Sequence, residues 1–253
     1  MNEQNQKIIK VTIATFAMFA FMIMMGNNYM YQNGLSGKYV NTPAKEGQIK
    51  VACVGDSITY GHGISDWTKN SYPAVLQGLL GEKYHVANFG SSGACVNPKG
   101  DQPYTGREIY QEALEYDADI IVFMMGTNDA KPENWTDKKQ FWEDYTELLD
   151  SFFQDGKSPQ IYLALCTEAY YPEDMDKSTG ITSFDIQPGI IDEIAATVDM
   201  NAALSSSIFM RTIDVHSLSE AHPEWFEADG IHPNNDGAKA IAEMVAEAIQ
   251  SGE

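Results

Sequence analysis

The chain has 253 residues, of which 43% are hydrophobic and 11% aromatic, enough for one globular domain with a full apolar core and an appendage. Its 16 Lys and Arg are outnumbered by 36 Asp and Glu, so the formal net charge is −20 at pH 7. A surface this acidic repels polyphosphate, which excludes nucleic acid as an expected partner and disfavours strongly anionic substrates.

Residues 1–26 form an apolar segment at the amino end. Lys7 and Lys10 come immediately before the uncharged run VTIATFAMFAFMIMMG, which ends at Gly26. Such a run predicts a transmembrane signal anchor or a cleaved signal peptide, and the lack of a clear A-x-A cleavage site favours the anchor. Lys7 and Lys10 lie on the short amino-terminal side of the apolar run, and positive charges there predict that this side is cytoplasmic. We therefore expect an extracytoplasmic protein that contacts the cell membrane through this segment only, or a secreted one if the segment is cleaved.

The rest of the chain divides into a linker and a body. Residues 27–47 are rich in Gly and Asn and are typical of a tether, whereas residues 48–253 carry the regular apolar patterns. Five apolar runs in this body predict β-strands, and their near-continuous apolarity indicates burial on both faces, as in a parallel sheet. The runs are IKVACVG (49–55), YHVANFG (84–90), ADIIVFMMG (118–126), QIYLALC (160–166) and FMRTIDV (209–215).

Helical patterns alternate with these strands. Apolar residues recur at spacings of three and four in residues 71–81, 107–116, 138–154 and 189–204, and a last helix follows Pro233 with Asn234 or Asn235 as its N-cap. Strands that alternate with helices predict a doubly wound α/β sandwich, because parallel neighbours require crossover connections. Ligands of such sheets bind at the carboxyl ends of the strands, so function is expected in the loops that follow them.

Those loops carry the residues of an acyl-transfer site. GDSIT supplies Ser57, GTND supplies Asn128, and DGIHP supplies Asp229 and His232. A serine hydroxyl needs a base within hydrogen-bond reach and donors aimed at the developing oxyanion. His232 is the best candidate base, because Asp229 lies three residues before it and can fix its tautomer, whereas His62 is near the serine only in sequence.

The oxyanion donors would be the Asn128 amide and the backbone N–H groups of Ser57 and of Gly93, which lies in NFGSSGA. Each motif alone has an ordinary alternative: GDS as a turn with a local hydrogen bond, GTND as a helix cap, and DGIHP as a turn or two ligands of a metal. No further ligands cluster with Asp229 and His232, so no metal is expected. The three cysteines show no metal spacing and form no complete disulfide framework.

Taken together, GDSIT, NFGSSGA, GTND and DGIHPN resemble the four sequence blocks of the SGNH (GDSL-type) hydrolase family, from about residue 48 to the end of the chain. This resemblance implies an α/β fold, a three-layer α/β/α sandwich with a five-stranded parallel sheet like that of flavodoxin. It implies Ser57 as nucleophile, Asp229 and His232 as the rest of a triad, and Gly93 and Asn128 in the oxyanion hole, with no cofactor. Gly93 is chosen over Gly90 because the family's functional glycine lies five residues after the asparagine that ends the second strand.

The resemblance is strongest to carbohydrate O-acetylesterases of the sialate and xylan types. It implies a serine esterase that removes short acyl groups, chiefly acetyl groups on carbohydrates, through an acyl-enzyme. A lysophospholipase or thioesterase on the same fold, or a non-catalytic glycan-binding relative, remain the alternatives. Five large aromatic residues could line a sugar platform, or could equally belong to the core: Trp67, Trp135, Tyr170, Tyr171 and Trp225.

Overall fold

The structure is a computed structural model that describes residues 3–32, 39–153, 156, 158–168, 183–203 and 208–252. Five strands in these ranges form one sheet: β1 (Ile49–Gly55), β2 (Tyr84–Gly90), β3 (Ile120–Met124), β4 (Gln160–Ala164) and β5 (Met210–Ile213). All neighbouring strands are parallel and their order is β2-β1-β3-β4-β5. The predicted parallel sheet is therefore confirmed.

Helices connect these strands and cover both faces of the sheet. Three short 3₁₀ turns, at residues 104–106, 128–130 and 223–225, lie in the loops. The α-helices in the described ranges are α1 (Glu3–Gln32), α2 (Ser57–Tyr60), α3 (Trp67–Asn70), α4 (Tyr72–Leu80), α5 (Glu108–Glu115), α6 (Lys138–Asp150), α7 (Ser183–Ala203), α8 (Val215–Glu220) and α9 (Asn235–Ser251).

Two apolar clusters, one on each face of the sheet, form the core. Successive residues of β1 alternate between them: Ala52 and Val54 belong to the cluster that contains side chains of α5, α6 and α7, whereas Val51 and Cys53 belong to the cluster that contains side chains of α4 and α9. This alternation is the period of a strand buried on both faces. The molecule is a three-layer α/β/α sandwich, as the sequence predicts.

The strand order places a topological switch point at the sheet centre. β1 lies between β2 and β3, and the connections that follow β1 and β3 leave on opposite faces, since α4 packs on one face and α6 on the other. Loops that diverge in this way leave a crevice at the carboxyl ends of the central strands, which is where open α/β sheets bind their ligands.

The last two predicted strands are shorter in the structure than in the sequence analysis. β5 ends at Ile213, because the Asp214 side chain accepts a hydrogen bond from the backbone N–H of Ser217 at 2.9 Å and so caps α8. An N-cap side chain fixes the start of a helix, so the strand before it ends there. β4 likewise ends at Ala164, two residues before the predicted end at Cys166.

The amino-terminal segment differs from the prediction in two respects. α1 continues past Gly26 to Gln32, so the predicted boundary of the apolar segment does not end a helix. Across the residues that the structure describes, no helix combines the length and the apolarity needed to cross a membrane. Within the predicted tether, Asn41 exchanges hydrogen bonds of 2.8 and 2.9 Å with the backbone N–H and C=O of Asn88, so it covers the free edge of β2.

Candidate active site

Ser57 is the first residue of α2, directly beyond the carboxyl end of β1. Asp56 caps this short helix, accepting a hydrogen bond from the Ile58 N–H at 2.9 Å. Gly55 and Gly90 allow the helix to sit against the strand ends, because a Cβ at Gly55 would meet Thr59 and one at Gly90 would meet the Tyr60 backbone. Gly90 therefore has a packing role at the end of β2.

The loop between β5 and α9 brings His232 to Ser57. The Nε2 atom of His232 lies 2.8 Å from Ser57 Oγ, and its Nδ1 atom lies 2.6 Å from Asp229 Oδ2. These two segments are 175 residues apart in the chain. The imidazole is thus held between a hydroxyl and a carboxylate, which is the arrangement in which a histidine can take a proton from a serine.

The tight turn DGIH fixes the Asp229 carboxylate. Its Oδ1 atom accepts hydrogen bonds from the backbone N–H groups of Ile231 at 2.9 Å and His232 at 3.0 Å. Partial burial raises the pKa of Asp229, but these hydrogen bonds and the one from the His232 ring outweigh it, so the net pKa is lowered. The carboxylate therefore stays ionised beside the imidazole.

Asn234 anchors the same loop to α9. It is the N-cap, and its side chain accepts from the backbone N–H groups of Asp236 and Gly237 at 3.0 and 3.1 Å. Its own backbone N–H donates to the carbonyl of Trp225 at 2.7 Å. The loop is held on both sides of His232, so the position of the ring is set by backbone hydrogen bonds.

Asn128 and Gly93 lie in the loops after β3 and β2. The Asn128 Nδ2 atom donates to the Ala94 carbonyl at 3.0 Å, which links the two loops. Within the described part of the chain this is the one acceptor of that amide nitrogen, so its second hydrogen is available to a ligand. Gly93 has φ of +79°, and a Cβ there would meet the Gln102 side chain, so the position requires glycine.

Two buried residues that the sequence analysis did not single out connect these loops. Asp129 accepts hydrogen bonds from the backbone N–H groups of Val96 and Asn97 at 3.0 Å. Asn134 donates to the Asn128 carbonyl at 2.8 Å. The sequence signal for Asp129 was its place in GTND, and no motif pointed to the buried role of Asn134, because its partner Asp101 lies 33 residues away in the chain.

His62 lies against the ring of His232, contrary to the expectation that it is near the site only in sequence. The two ring centroids are 4.5 Å apart and their planes are inclined by 45°. The reason is the short α2 helix, which turns the chain back so that the His62 N–H donates to the Ser57 carbonyl at 2.9 Å.

The five proposed aromatic platform residues have different positions. Trp67 is fully buried against Tyr60 and cannot be a sugar platform, so that expectation is wrong. Trp135 is partly buried and packs against Phe141. Trp225 is partly buried, directly before the His232 loop, and stacks on His222 with centroids 3.8 Å apart. The remaining two candidates, Tyr170 and Tyr171, lie outside the described residues.

The cysteines offer no reactive thiol at this site. Cys53, Cys95 and Cys166 are free and buried, and burial raises the pKa of Cys53 to about 12 and that of Cys95 to about 11. Thiols are nucleophilic as thiolates, which burial disfavours. Among the described side chains, no group of three or more His, Cys, Asp or Glu is arranged to hold a metal ion.

Known proteins with similar sequences or folds include several esterases. An acetylxylan esterase of Xylanibacter ruminicola is 36% identical over 224 residues, which are 81% of this chain and 44% of that protein, so the chain spans less than half the length of this relative. A solved carbohydrate acetylesterase family member from Sinorhizobium meliloti has a TM-score of 0.58 at 19% identity, covering 81% of this chain and 98% of that one.

A further solved structure, the native aryl esterase of M. smegmatis, has a TM-score of 0.57 at 17% identity, covering 80% of this chain and 99% of that one. At such identities the two structures establish the fold alone. The sequence profile of the GDSL-like lipase/acylhydrolase family matches residues 53–240, which include all four motif loops. The chain belongs to the GDSL-like lipase/acylhydrolase family.

Proposed function

We propose that the chain is a serine esterase that hydrolyses short-chain acyl esters, with acetyl groups on carbohydrates as its substrate class. The observation that carries the proposal is the contact of His232 with both Ser57, at 2.8 Å, and Asp229, at 2.6 Å. A hydroxyl with a base on it, and a carboxylate that orients the base, make a nucleophile at neutral pH.

The proposed reaction has two steps. In the first, His232 Nε2 takes the Ser57 proton as Oγ attacks the ester carbonyl carbon, and it then gives that proton to the leaving alcohol as the C–O bond breaks. In the second, water loses a proton to the same nitrogen and attacks the acyl-enzyme, which releases the carboxylic acid and restores the serine. Asp229 stabilises the imidazolium that forms in each step.

The negative charge on the carbonyl oxygen needs donors that are already in place. We assign this role to the Asn128 amide and the backbone N–H groups of Gly93 and Ser57. Support comes from the Asn128–Ala94 hydrogen bond of 3.0 Å, which holds the amide side chain in one orientation. Donors fixed in advance stabilise the transition state without a cost of reorganisation.

The substrate class is supported by the relatives rather than by the site itself. The similarity to an acetylxylan esterase covers 81% of this chain. Of the aromatic candidates among the described residues, Trp225 lies partly exposed on the loop that leads to His232. We therefore assign Trp225 to sugar binding.

We further propose an extracytoplasmic location for the catalytic body, on the basis of Lys7, Lys10 and the apolar run that follows them. Cell fractionation, with protease treatment of intact cells, tests this. Recovery of the body in a protease-protected cytoplasmic fraction would reject it.

The function is tested with p-nitrophenyl acetate, p-nitrophenyl octanoate and acetylated xylan, for wild type, Ser57→Ala and a matched Ser251→Ala control on the exposed end of α9. Ser57→Ala should lose more than about 10³-fold in kcat, and the control should lose nothing. Preference for octanoate over acetate would favour a lipase or thioesterase instead. Failure of a fluorophosphonate to label Ser57, with no turnover of any ester, would favour a non-catalytic glycan-binding protein.

A further inference from the structure

A second imidazole packs against the ring of His232. The centroids of the His62 and His232 rings are 4.5 Å apart, with planes inclined by 45°. His232 therefore has three contacts: Ser57 at Nε2, Asp229 at Nδ1 and the tilted ring of His62. Hydrogen bonds at the two nitrogens still permit the ring to rock about the line that joins them, and a neighbouring ring restricts that motion.

His62 is itself fixed by its own segment. Its backbone N–H donates to the Ser57 carbonyl at 2.9 Å. Three residues later, the Ser65 N–H donates to the side chain of Asn235 at 3.1 Å, at the start of α9. The segment thus joins the helix of the proposed nucleophile to the helix that follows the proposed base. Its position is set by the same two elements that set Ser57 and His232.

We propose that His62 is a positioning residue of this active site: its neutral ring holds His232 in place for proton transfer, and its protonation opposes the charging of His232 and switches the site off in acid. The inference rests on the proposed function, because it requires His232 to act as the base. It adds a fourth side chain to the three of the proposed triad.

The charges around His62 favour its neutral form. Burial lowers the pKa of the imidazole, the charge of His232 lowers it further, and Asp229 raises it in part, with a net decrease. The groups that face the segment are His232 and Asp229 on the loop before α9, and Glu227, whose Cγ lies 3.5 Å from where a Cβ on Gly63 would be. At neutral pH, therefore, the His62 ring is uncharged, and His232 is the one ring of the pair that becomes positive when it takes the serine proton.

In acid, His62 becomes protonated and has the opposite effect on His232. A protonated His62 places a positive charge against the ring that must itself become positive when it takes the serine proton. Two like charges at this separation in a partly buried site disfavour each other enough to slow the reaction on the order of 100-fold. The form with both rings neutral is then the active one, so wild-type activity should fall with the square of the proton concentration on the acid side.

The test is the pH profile of kcat/KM with p-nitrophenyl acetate for wild type, His62→Phe, His62→Asn and His62→Ala. The Phe variant keeps a flat ring against His232 but cannot be protonated. We expect it to retain activity within about threefold of wild type at about pH 8, and its acid limb should have a slope of about one where the wild type approaches about two. The Ala variant should lose about 10-fold in kcat with KM unchanged, because the ring loses its support.

His85→Gln is the matched control. His85 is buried and also has a lowered pKa, but it lies near the amino end of β2, at the opposite end of the sheet from Ser57. Its replacement should leave the shape of the profile unchanged. Labelling of Ser57 by a fluorophosphonate at about pH 8 establishes that the active site of each variant is folded. His62→Asn replaces His62→Phe if the latter does not fold.

Identical acid limbs for wild type, His62→Phe and His62→Asn overturn the inference, as does a full rate in His62→Ala. Ser57→Ala is measured alongside. If that variant stays active, the proposed function fails. If it is inactive and the acid limbs are nevertheless identical, only the role of His62 fails.

Discussion

Asn134 donates a hydrogen bond from Nδ2 to the backbone carbonyl of Asn128, 2.8 Å away. The same nitrogen donates to Asp101 Oδ1 at 2.8 Å, and Asn134 Oδ1 accepts from the Asp101 backbone N–H at 2.8 Å. The side chain is 2% exposed, and every hydrogen-bonding group of its amide has a partner. It therefore fixes the backbone of the proposed oxyanion donor against the loop that follows Gly93.

The change Asn134→Asp should impair catalysis without direct contact with substrate. The carboxylate has the same shape, but it loses both donors and places a negative charge against the Asp101 carboxylate and the Asn128 carbonyl. We expect kcat for p-nitrophenyl acetate to fall by about 10-fold or more, with KM little changed, since the donor is displaced rather than removed. Steady-state kinetics measures both constants.

Asn27→Asp, on the exposed surface of α1, controls for the added charge alone and should have wild-type kinetics. If Asn134→Asp raised KM and left kcat intact, the residue would act on binding and not on the geometry of Asn128. Unchanged kinetics at full stability would mean that the network has no effect on the reaction.

Removal of the proposed oxyanion donor itself should have a larger effect. Asn128→Ala eliminates the amide that bonds the Ala94 carbonyl at 3.0 Å and that we assign to the transition state. The loss of one such donor costs on the order of 100-fold or more in kcat. Asn128→Asp keeps the shape but removes both N–H donors, so it should be at least as slow. Near-wild-type turnover in either variant would remove Asn128 from the oxyanion hole.

A sugar-binding role for Trp225 predicts a difference between substrates. Trp225→Ala removes the indole that stacks on His222 but keeps the backbone carbonyl that accepts from Asn234. Loss of an aromatic contact with a sugar should raise KM for acetylated xylan by about 5- to 10-fold. The KM for p-nitrophenyl acetate, which has no sugar, should not change.

Trp135→Ala is the matched comparison, since Trp135 packs against Phe141 and the helical layer. It should lower the melting temperature and leave both KM values alone. Equal increases of KM for the two substrates in Trp225→Ala would instead indicate a general disturbance of the neighbouring His232 loop.

The sequence was sufficient for the sheet and for the four motif loops, for a physical reason. Strands buried on both faces are largely apolar, so β1 and β2 are visible as near-continuous apolar runs, and their predicted and observed bounds agree at 49–55 and 84–90. Motif residues lie at strand ends, and parallel strands bring their carboxyl ends to one edge. The sequence alone therefore predicts that Ser57 and His232 meet at this edge.

What the sequence could not provide are contacts fixed by the turns between elements. His62 reaches His232 because α2 has only 4 residues, and no periodic pattern reveals so short a helix. The burial of Trp67 likewise depends on how Tyr39 and Tyr60 pack around it, since a lone aromatic residue suits a core or a surface equally well. Such three-dimensional contacts leave no local signal.

Asp129 is a buried carboxyl whose ionisation makes stability depend on pH. It is 1% exposed, and burial raises its pKa to about 7 against the opposing hydrogen bonds from the backbone of Val96 and Asn97, with nearby Asp56 adding to the increase. The folded state therefore keeps a proton that the unfolded chain has already lost between about pH 4 and about pH 7. The contribution of this group to stability is present below that window and is lost as the pH rises through it.

Asp129→Asn cannot ionise, so it removes this dependence. The variant has a fixed cost from its altered hydrogen bonds to the Val96 and Asn97 N–H groups. In addition, its free energy of unfolding should increase relative to that of wild type as the pH rises from about 4 to about 7, by on the order of 1 to 4 kcal/mol. Urea unfolding of both proteins at several pH values in this window measures the difference. A difference that stays flat, or that moves against the variant as pH rises, would show that the Asp129 carboxylate is stabilised by its backbone donors more than it is penalised by burial.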